Sequence, residues 1–231
     1  MKILVVTAHP DDVDFGAAGS VARWVDEGHE VAYCLVTNGD AGGFDPDVPR
    51  SEIPNIRQAE QRAAAKVVGV EDLFFLGHPD GAVEVTIGLR RDISRVIRIV
   101  RPERVVCQSP ERNWDRIYAS HPDHLAAGEA ALCAVYPDSR NPFAHPELME
   151  EGLEAHSVAE VWVMGGPAPD EYVDITDFVE TKITALCRHE SQISDPAAVD
   201  ALIRGWTAAT ALAGGLPEGR AAEAFRRVST A

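Results

Sequence analysis

Ile3-Leu4-Val5-Val6-Thr7-Ala8-His9-Pro10-Asp11-Asp12 joins a short apolar run to a cluster of residue types that bind metal ions. The apolar run at 3–6 has the length and composition of a buried β-strand. A loop that follows such a strand and carries a His and an Asp can offer one nitrogen and one oxygen to a divalent cation. The opening stretch therefore predicts a strand whose carboxyl end holds part of a metal site.

Similar apolar runs recur along the chain and alternate with amphipathic stretches. Short, nearly all-apolar strands separated by helices are typical of a parallel sheet that is covered on both faces. The predicted fold class is therefore α/β, a Rossmann-like three-layer α/β/α arrangement with a mostly parallel sheet. Because ligands of such sheets bind at the carboxyl ends of the strands, we expect the metal site there. The predicted strands are 3–6, 31–36, 73–76, 105–107 and 160–164.

The amphipathic stretches predict the helices between these strands, and further helices follow the last strand. The segment 136–154 contains several prolines and histidines and is interpreted as a long irregular insertion. With 231 residues and no internal repeat or low-complexity linker, residues 1–231 are interpreted as a single domain. The predicted helices are 15–26, 56–68, 89–100, 125–135, 179–189, 197–213 and 220–228.

Composition excludes several classes of partner. The formal net charge is −16, and the acidic residues are scattered along the chain. Such a surface repels phosphate backbones, so nucleic acid is not expected as a partner. No apolar run reaches the length of a membrane span, and the N-terminal run is too short for a signal peptide, so we expect a cytoplasmic protein. In that reducing compartment we expect free, buried thiols at Cys34, Cys107, Cys133 and Cys187.

A second cluster, His121-Pro122-Asp123-His124, lies far along the chain from the first. A helix start explains part of it, because Ser120 with Asp123 three residues later resembles a capping box, and Pro122 suits a first helical turn. Capping does not account for two histidines that flank Pro-Asp. One of them can complete a three-ligand metal site with the first cluster, and Asp123 can hold an imidazole in one tautomer.

The first cluster also has a structural alternative. Asp11 or Asp12 could accept backbone N–H groups at the start of the following helix. Two adjacent carboxylates exceed what capping needs, and they repel each other unless a cation or a hydrogen-bond donor offsets their charge. The excess of negative charge therefore favours a metal site.

The paired clusters resemble those of the LmbE-like, or PIG-L-like, family of zinc-dependent de-N-acetylases, named for N-acetylglucosaminyl-phosphatidylinositol deacetylase. The resemblance runs nearly end to end, and the two clusters at this separation are its most specific part. Further segments that resemble the family are Asn38-Gly39-Asp40, Arg57-Gln58-Ala59-Glu60, Gly77-His78-Pro79-Asp80-Gly81, and Lys182 through His189-Glu190-Ser191-Gln192.

The resemblance implies a role for each residue of the two clusters. His9, Asp12 and His124 are expected to bind one Zn²⁺ per chain, with Fe²⁺ or another divalent ion as the alternative. Asp11 is the expected general base. A protonated His121, together with Asp123, is expected to assist the tetrahedral intermediate and the leaving group.

The resemblance also implies substrate contacts for Arg57, His189 and Gln192. The alternatives are an ordinary exposed ion pair of Arg57 with Glu60, at i,i+3 spacing, and a buried polar pair of His189 with Gln192. The turn residues His78, Asp80 and Asp40 are expected beside the site without a catalytic role.

The expected reaction is hydrolysis of an N-acetylglucosamine-type sugar or glycoside to acetate and a free amino sugar. One alternative is an amidase that acts on a larger acyl-amide conjugate with the same metal chemistry, and another is a non-catalytic sugar-binding protein on the same scaffold. A dinucleotide-binding Rossmann protein is disfavoured, since Gly16-Ala17-Ala18-Gly19 lacks the glycine of the first tight turn. The expected partner is a small amino-sugar substrate, and homo-oligomers are frequent in the resembled family.

Overall fold

The computed structural model describes residues 1–230 and places the opening strand in the middle of a sheet. β1 (Lys2–Thr7) pairs in parallel with β2 (Glu30–Thr37) on one side and with β4 (Arg104–Gln108) on the other. A strand between two parallel neighbours, with helices on both faces, must be apolar on both faces. All residues of β1 after Lys2 are accordingly buried.

Over the part of the chain that the structure describes, the sheet has seven strands in the order β3-β2-β1-β4-β5-β7-β6. β1 to β5 are parallel, and only β7 runs antiparallel to its neighbours β5 and β6. The prediction of a mostly parallel sheet is therefore confirmed. The other strands are β3 (Asp72–His78), β5 (Glu160–Met164), β6 (Glu171–Asp174) and β7 (Ala222–Ser229).

Helices cover both faces of the sheet and give the predicted three layers. Alternate residues of β1 enter two separate cores: Ile3 and Val5 pack with α2, α3 and α7, whereas Leu4 and Val6 pack with α4 and α5. The helices are α1 (Asp12–Gly16), α2 (Ala18–Asp26), α3 (Ile53–Val67), α4 (Ile87–Val100), α5 (Pro122–Cys133), α6 (Pro146–Glu150), α7 (Val179–Leu186) and α8 (Pro196–Ala213).

The prediction of a last helix at 220–228 is wrong. This segment forms β7, which pairs with β5 and with β6, a strand that sequence analysis did not predict. Its Ala, Glu and Arg residues favour helix, but pairing with two strands and burial of Ala222 and Phe225 outweigh that local preference.

Two other segments differ from expectation. The predicted helix 15–26 is two helices, because Ala17 has a non-helical backbone with φ −148° and ψ 2°. The insertion 136–154 is not wholly irregular, since it contains α6.

Within residues 1–230 all four cysteines are free, but only Cys34 and Cys107 are buried. In the same described range no helix is both long and apolar enough to cross a lipid bilayer.

Candidate active site

The predicted metal residues meet where the strand order reverses. From the neighbouring strands β1 and β4 the sheet grows outward in two directions, towards β2 and towards β5. Such a switch point opens a crevice at the carboxyl ends of the two strands. The loop after β1 carries the first cluster, and the start of α5, the helix after β4, carries the second. The N–H of Ala8 donates to Oε1 of Gln108 at 2.8 Å, which ties the ends of both strands together.

Asp12 lies between two imidazoles. Its Oδ2 is 3.2 Å from Nδ1 of His9, and its Oδ1 is 3.0 Å from Nε2 of His124. Burial raises the pKa of Asp12, but the charges and hydrogen bonds of His124 and His9 outweigh burial and hold that pKa well below its usual range. The structure thus brings the three predicted metal ligands, one ionised carboxylate and two imidazoles, into contact.

The second ring nitrogen of His9 faces two more carboxylates. Nε2 lies 3.1 Å from Oδ1 of Asp80 and 3.2 Å from Oδ2 of Asp123. Burial lowers the pKa of His9, but hydrogen bonds and charges of Asp12 and Asp80 raise it to about 11. Three carboxylates around one ring form an excess of negative charge that a divalent cation would balance. A metal-ligating histidine usually donates its other ring N–H to a carboxylate, as His9 is placed to do here.

Among residues 1–230, two groups of donor atoms are close enough to hold one ion, and both contain His9. The donor atoms of His9, His121 and His124 lie within 4.8 Å of one another, and so do those of His9, Asp80 and Asp123. Imidazole nitrogens with carboxylate oxygens suit Zn²⁺ and also Fe²⁺. The residues present therefore fit a divalent metal, and the particular ligand set expected from the sequence stays a prediction.

Asp11 is held in a left-handed backbone conformation with φ 89°, which is uncommon for a residue with a Cβ. Its Oδ2 accepts from Nη2 of Arg57 at 2.9 Å, and the same nitrogen donates to the carbonyl of Pro10 at 2.6 Å. Burial and the charge of Asp12 raise the pKa of Asp11 to about 7, although Arg57 lowers it. A carboxylate with this pKa can accept and return a proton near neutral pH. Its side chain does not cap α1, so the capping alternative fails for this residue.

Gln61, a residue that sequence analysis missed, connects Asp11 to the protein interior. Its Oε1 accepts the backbone N–H of Asp11 at 2.8 Å, and its Nε2 donates to Oδ2 of Asp14 at 2.8 Å. The Gln61 side chain is fully buried. No sequence motif marks this residue, because its role depends on packing of α3 against the loop after β1.

His189 lies behind this group. Its Nε2 is 2.8 Å from Oδ2 of Asp14, and both side chains have no exposed surface. Burial lowers the pKa of His189, but the hydrogen bond and charge of Asp14 raise it above the usual value. The pair of His189 with Gln192 expected as the alternative is therefore wrong: His189 is buried and paired with Asp14, whereas Gln192 donates to Ser191. This buried placement gives no support to a direct substrate contact of His189.

The other predicted substrate residues have different surroundings. Arg57 is buried, so the alternative of an exposed ion pair with Glu60 is wrong. Glu60 instead accepts from the N–H and the hydroxyl of Ser191, at 2.7 Å each. Gln192 is partly buried, and its Nε2 donates to Oγ of Ser191 at 2.9 Å. Substrate contacts of Arg57 and Gln192 stay predictions.

His121 caps α5 with its ring. Its Nδ1 accepts the N–H of Asp123 at 3.2 Å, whereas Oγ of Ser120 accepts the N–H of Asn113 at 2.7 Å. The predicted capping box with Ser120 is therefore wrong. The His121 ring centroid lies 5.1 Å from that of His9, so the ring borders the metal cluster. Partial burial and the neighbouring imidazoles lower the pKa of His121.

The carboxylate of Asp123 is directed at His9 and not at the ring of His121. Its Oδ2 also accepts the N–H of Gly81 at 2.7 Å, and Oδ1 accepts that of Val83 at 3.3 Å. The loop after β3 is thereby fastened to the site, and this loop brings Asp80 to His9. The Pro-Asp-Gly turn sequence placed Asp80 near the site but gave no signal for this contact.

Comparisons with known proteins agree on one family. Residues 4–135 match the family model described as PIG-L: GlcNAc-PI de-N-acetylase. The diacetylchitobiose deacetylase of Thermococcus kodakarensis is 34% identical over 194 residues, which are 84% of this chain and 71% of that protein. A probable N-acetyl-alpha-D-glucosaminyl L-malate deacetylase 2 of Bacillus cereus is 33% identical over 197 residues, 82% of this chain and 83% of its own.

A solved structure shows the same likeness in three dimensions. The N,N'-diacetylchitobiose deacetylase from Pyrococcus horikoshii has a TM-score of 0.90 with this chain at 28% sequence identity. The match covers 99% of this chain and 84% of that one. The likeness therefore includes both histidine–aspartate clusters and the antiparallel end of the sheet.

Proposed function

This chain belongs to the PIG-L family of de-N-acetylases, and from that premise we propose that it removes the acetyl group from an N-acetylglucosamine-type sugar or glycoside. The products are acetate and a free amino sugar. The observation that carries the proposal is the position of Asp11, a carboxylate with a raised pKa beside a cluster of imidazoles and carboxylates that fits a divalent metal.

His9, Asp12 and His124 would hold the metal ion, with Zn²⁺ as the expected ion and Fe²⁺ or another divalent ion as the alternative. When bound, the ion supplies Lewis acidity, which polarises the acetamide carbonyl and lowers the pKa of a water molecule. Asp80 and Asp123 orient His9 through its Nε2, which keeps Nδ1 on the side of Asp12.

Asp11 acts as the general base. It takes a proton from the attacking water and gives a proton to the departing nitrogen, so that amide and water yield acetate and amine. Arg57 holds one carboxylate oxygen at 2.9 Å, and Gln61 holds the backbone N–H at 2.8 Å. These contacts fix the direction in which the carboxylate points, and proton transfer by a positioned group contributes about 10²- to 10⁴-fold to the rate.

His121 donates a hydrogen bond to the developing oxyanion as a neutral imidazole. Because its Nδ1 accepts the N–H of Asp123, the neutral ring carries its proton on Nε2. The lowered pKa of His121 agrees with this form. The protonated His121 expected from the sequence is therefore not needed for stabilising the oxyanion.

The held position of Asp11 favours an enzyme over a non-catalytic sugar-binding protein. A left-handed backbone at a residue other than glycine costs free energy, about 1 to 3 kcal/mol, and persists only where the surroundings enforce it. Buried Arg57 and Gln61 enforce it here. A sugar-binding protein has no use for a second carboxylate fixed beside the metal ligands.

The test is acetate release by the zinc-loaded protein, with Asp11→Asn as the matched control. The substrates are N-acetylglucosamine, its oligomers, an inositol-linked N-acetylglucosaminide and an N-acetylglucosaminyl malate. We expect acetate from at least one of them and a loss of at least about 10²-fold in kcat for Asp11→Asn with zinc still bound. Near-normal turnover in that variant would refute the role of Asp11 as base. If the zinc-loaded protein releases acetate from none of these substrates, the deacetylase proposal is refuted. Release of a longer acyl group from an acyl-amide conjugate would favour the amidase.

A further inference from the structure

A cavity of about 240 Å³ lies at the edge of the sheet opposite to the candidate active site. One of its walls is Arg104, the first residue of β4, whereas the metal cluster follows the last residues of β1 and β4. Sites for drug-sized ligands have volumes of roughly 300 to 1,000 Å³, so this cavity suits a smaller molecule. The lining residues used below are Arg23, Trp24, Glu27, Arg104 and Trp162.

Arg104 is a buried cation in the wall of this cavity, with only 8% of its surface exposed. Its guanidinium carbon lies over the ring of Trp162, 3.9 Å from the ring centroid, and 5.1 Å from that of Trp24. A guanidinium that packs on an aromatic face keeps its N–H groups in its own plane, where they can still bind acceptors. The two tryptophans therefore hold Arg104 in place without using its hydrogen-bond donors.

Only one edge of the Arg104 guanidinium is used by the protein. Its Nε donates to Oε1 of Glu160 at 2.7 Å, and Oε2 of Glu160 accepts from Nε of Arg227 at the same distance. Glu160 is thus shared between two cations and compensates Arg104 only in part. Among residues 1–230, no acceptor binds Nη1 or Nη2 of Arg104, and both nitrogens keep access to solvent. Two adjacent N–H donors of this kind match the two oxygens of a carboxylate.

The rest of the lining also favours an organic anion. Arg23 is a second cation, and it donates to the carbonyl of Asp174 at 3.0 Å and to Oε1 of Glu27 at 2.7 Å. Within the described chain Glu27 is the only carboxylate of the lining, against two guanidinium groups. This local balance is opposite to the net charge of −16 of the whole protein. The indole rings of Trp24 and Trp162 add apolar surface, which favours a carbon chain over an inorganic ion.

We propose that this cavity is a second binding site of the protein and takes a small aliphatic carboxylate, of which acetate is the simplest. The carboxylate oxygens accept from Nη1 and Nη2 of Arg104, and the carbon chain lies against Trp24 and Trp162. The inference goes beyond the proposed function and does not depend on it, because the cavity lies at the other edge of the sheet and needs no metal ion.

Nuclear magnetic resonance of the indole N–H groups tests the location. The signals of Trp24 and Trp162 are assigned with Trp24→Phe and Trp162→Phe, and zinc-loaded protein is titrated with sodium acetate at constant pH and ionic strength. We expect saturable shifts of both signals, and an affinity about tenfold lower or less in Arg104→Gln and in Arg104→Lys, since both lose the paired donors. Arg227→Gln is the control: it breaks the other contact of Glu160 outside the cavity and should leave the affinity unchanged.

Three results of this titration would overturn the proposal. The first is a shift that does not saturate, and the second is an unchanged affinity in both Arg104 variants. The third is loss of the shifts when zinc is chelated, which would place acetate at the metal cluster. None of these results depends on whether the protein releases acetate from a sugar, so the two proposals fail separately.

A charge variant and other anions test the chemistry of the site. Glu27→Gln should raise the affinity for acetate about threefold, because it removes the negative charge of the lining. Glu30→Gln makes the same charge change at an exposed residue outside the lining, paired with Lys2 at 3.7 Å, and should leave the affinity unaltered. An equal gain in both variants would mean that net charge alone sets the affinity, and would overturn the proposed site. Chloride or phosphate that binds as tightly as acetate would refute the preference for a carboxylate.

Discussion

Gln61 belongs to no sequence motif, yet it holds the backbone of Asp11, which lies in the first cluster. It is fully buried and holds the backbone of Asp11 on one side and the carboxylate of Asp14 on the other, at 2.8 Å each. The left-handed conformation of Asp11 needs such support, because an ordinary L-residue does not keep it unaided.

We predict that Gln61→Met lowers kcat by about tenfold or more while zinc affinity and KM change little. The carboxylate of Asp11 loses its orientation in this variant, whereas the expected metal ligands keep theirs. Steady-state kinetics and a zinc titration measure the two effects separately. Gln58→Met is the matched control, since Gln58 lies on the same helix and donates to Asn38. Equal losses of kcat in both variants would contradict the positioning role of Gln61.

Asp12 and Asp123 contact the same imidazole from opposite sides, and we predict different costs for removing them. Asp12→Ala should abolish measurable zinc binding, because a ligand is lost. Asp123→Ala should weaken zinc affinity about 10- to 100-fold, as expected for a group that only orients a ligand. Competition against a chromophoric chelator measures both affinities. The reverse order would show that the ion binds on the side of Asp80 and Asp123.

At the scale of elements, a buried ion pair between α7 and β7 binds the backbone where α1 ends and α2 begins. Nζ of Lys182 on α7 lies 2.6 Å from Oε1 of Glu223 on β7, and it also donates to the carbonyls of Asp14 and Phe15. The carboxylate of Glu223 accepts the N–H groups at the start of α2, those of Gly19 and Ser20. The pair thus satisfies the end of one helix and the start of the next.

We predict that Glu223→Gln lowers the free energy of unfolding by about 3 kcal/mol or more, because the buried charge of Lys182 keeps its two carbonyl acceptors but loses its only negatively charged partner among the described residues. Denaturant unfolding by circular dichroism measures the loss. Glu27→Gln is the control: it breaks an exposed pair with Arg23 of similar length, 2.7 Å, and should cost less than about 1 kcal/mol. Similar values for the two variants would contradict the account.

The same elements show where sequence reasoning ends. The apolar runs predicted β1 to β5 because buried parallel strands need both faces apolar, and that signal is local. The segment that forms β7 has the residues of a helix, so only its pairing with β5 and β6 makes it a strand. The partners of the ion pair, Lys182 and Glu223, are 41 residues apart in the sequence, and no local sequence pattern predicts their contact.

On the scale of the whole molecule, topology explains why the two clusters could be predicted to meet. Neighbouring parallel strands present their following loops at one edge of the sheet, so His9 and His124 converge at the switch point between β1 and β4. The tautomer of His121 and the carboxylates around Nε2 of His9 depend on side-chain directions that topology does not fix. Those details of the site came from the structure.

Acetate release as zinc is added back to chelated protein, with N,N'-diacetylchitobiose as substrate, distinguishes a metal-dependent deacetylase from every alternative. We expect no release from the chelated protein and a linear rise that ends at one zinc per chain, because a single cluster around His9 holds the ion. Full acetate release from the zinc-free protein, or a rise that ends only at two zinc ions per chain, would contradict this assignment.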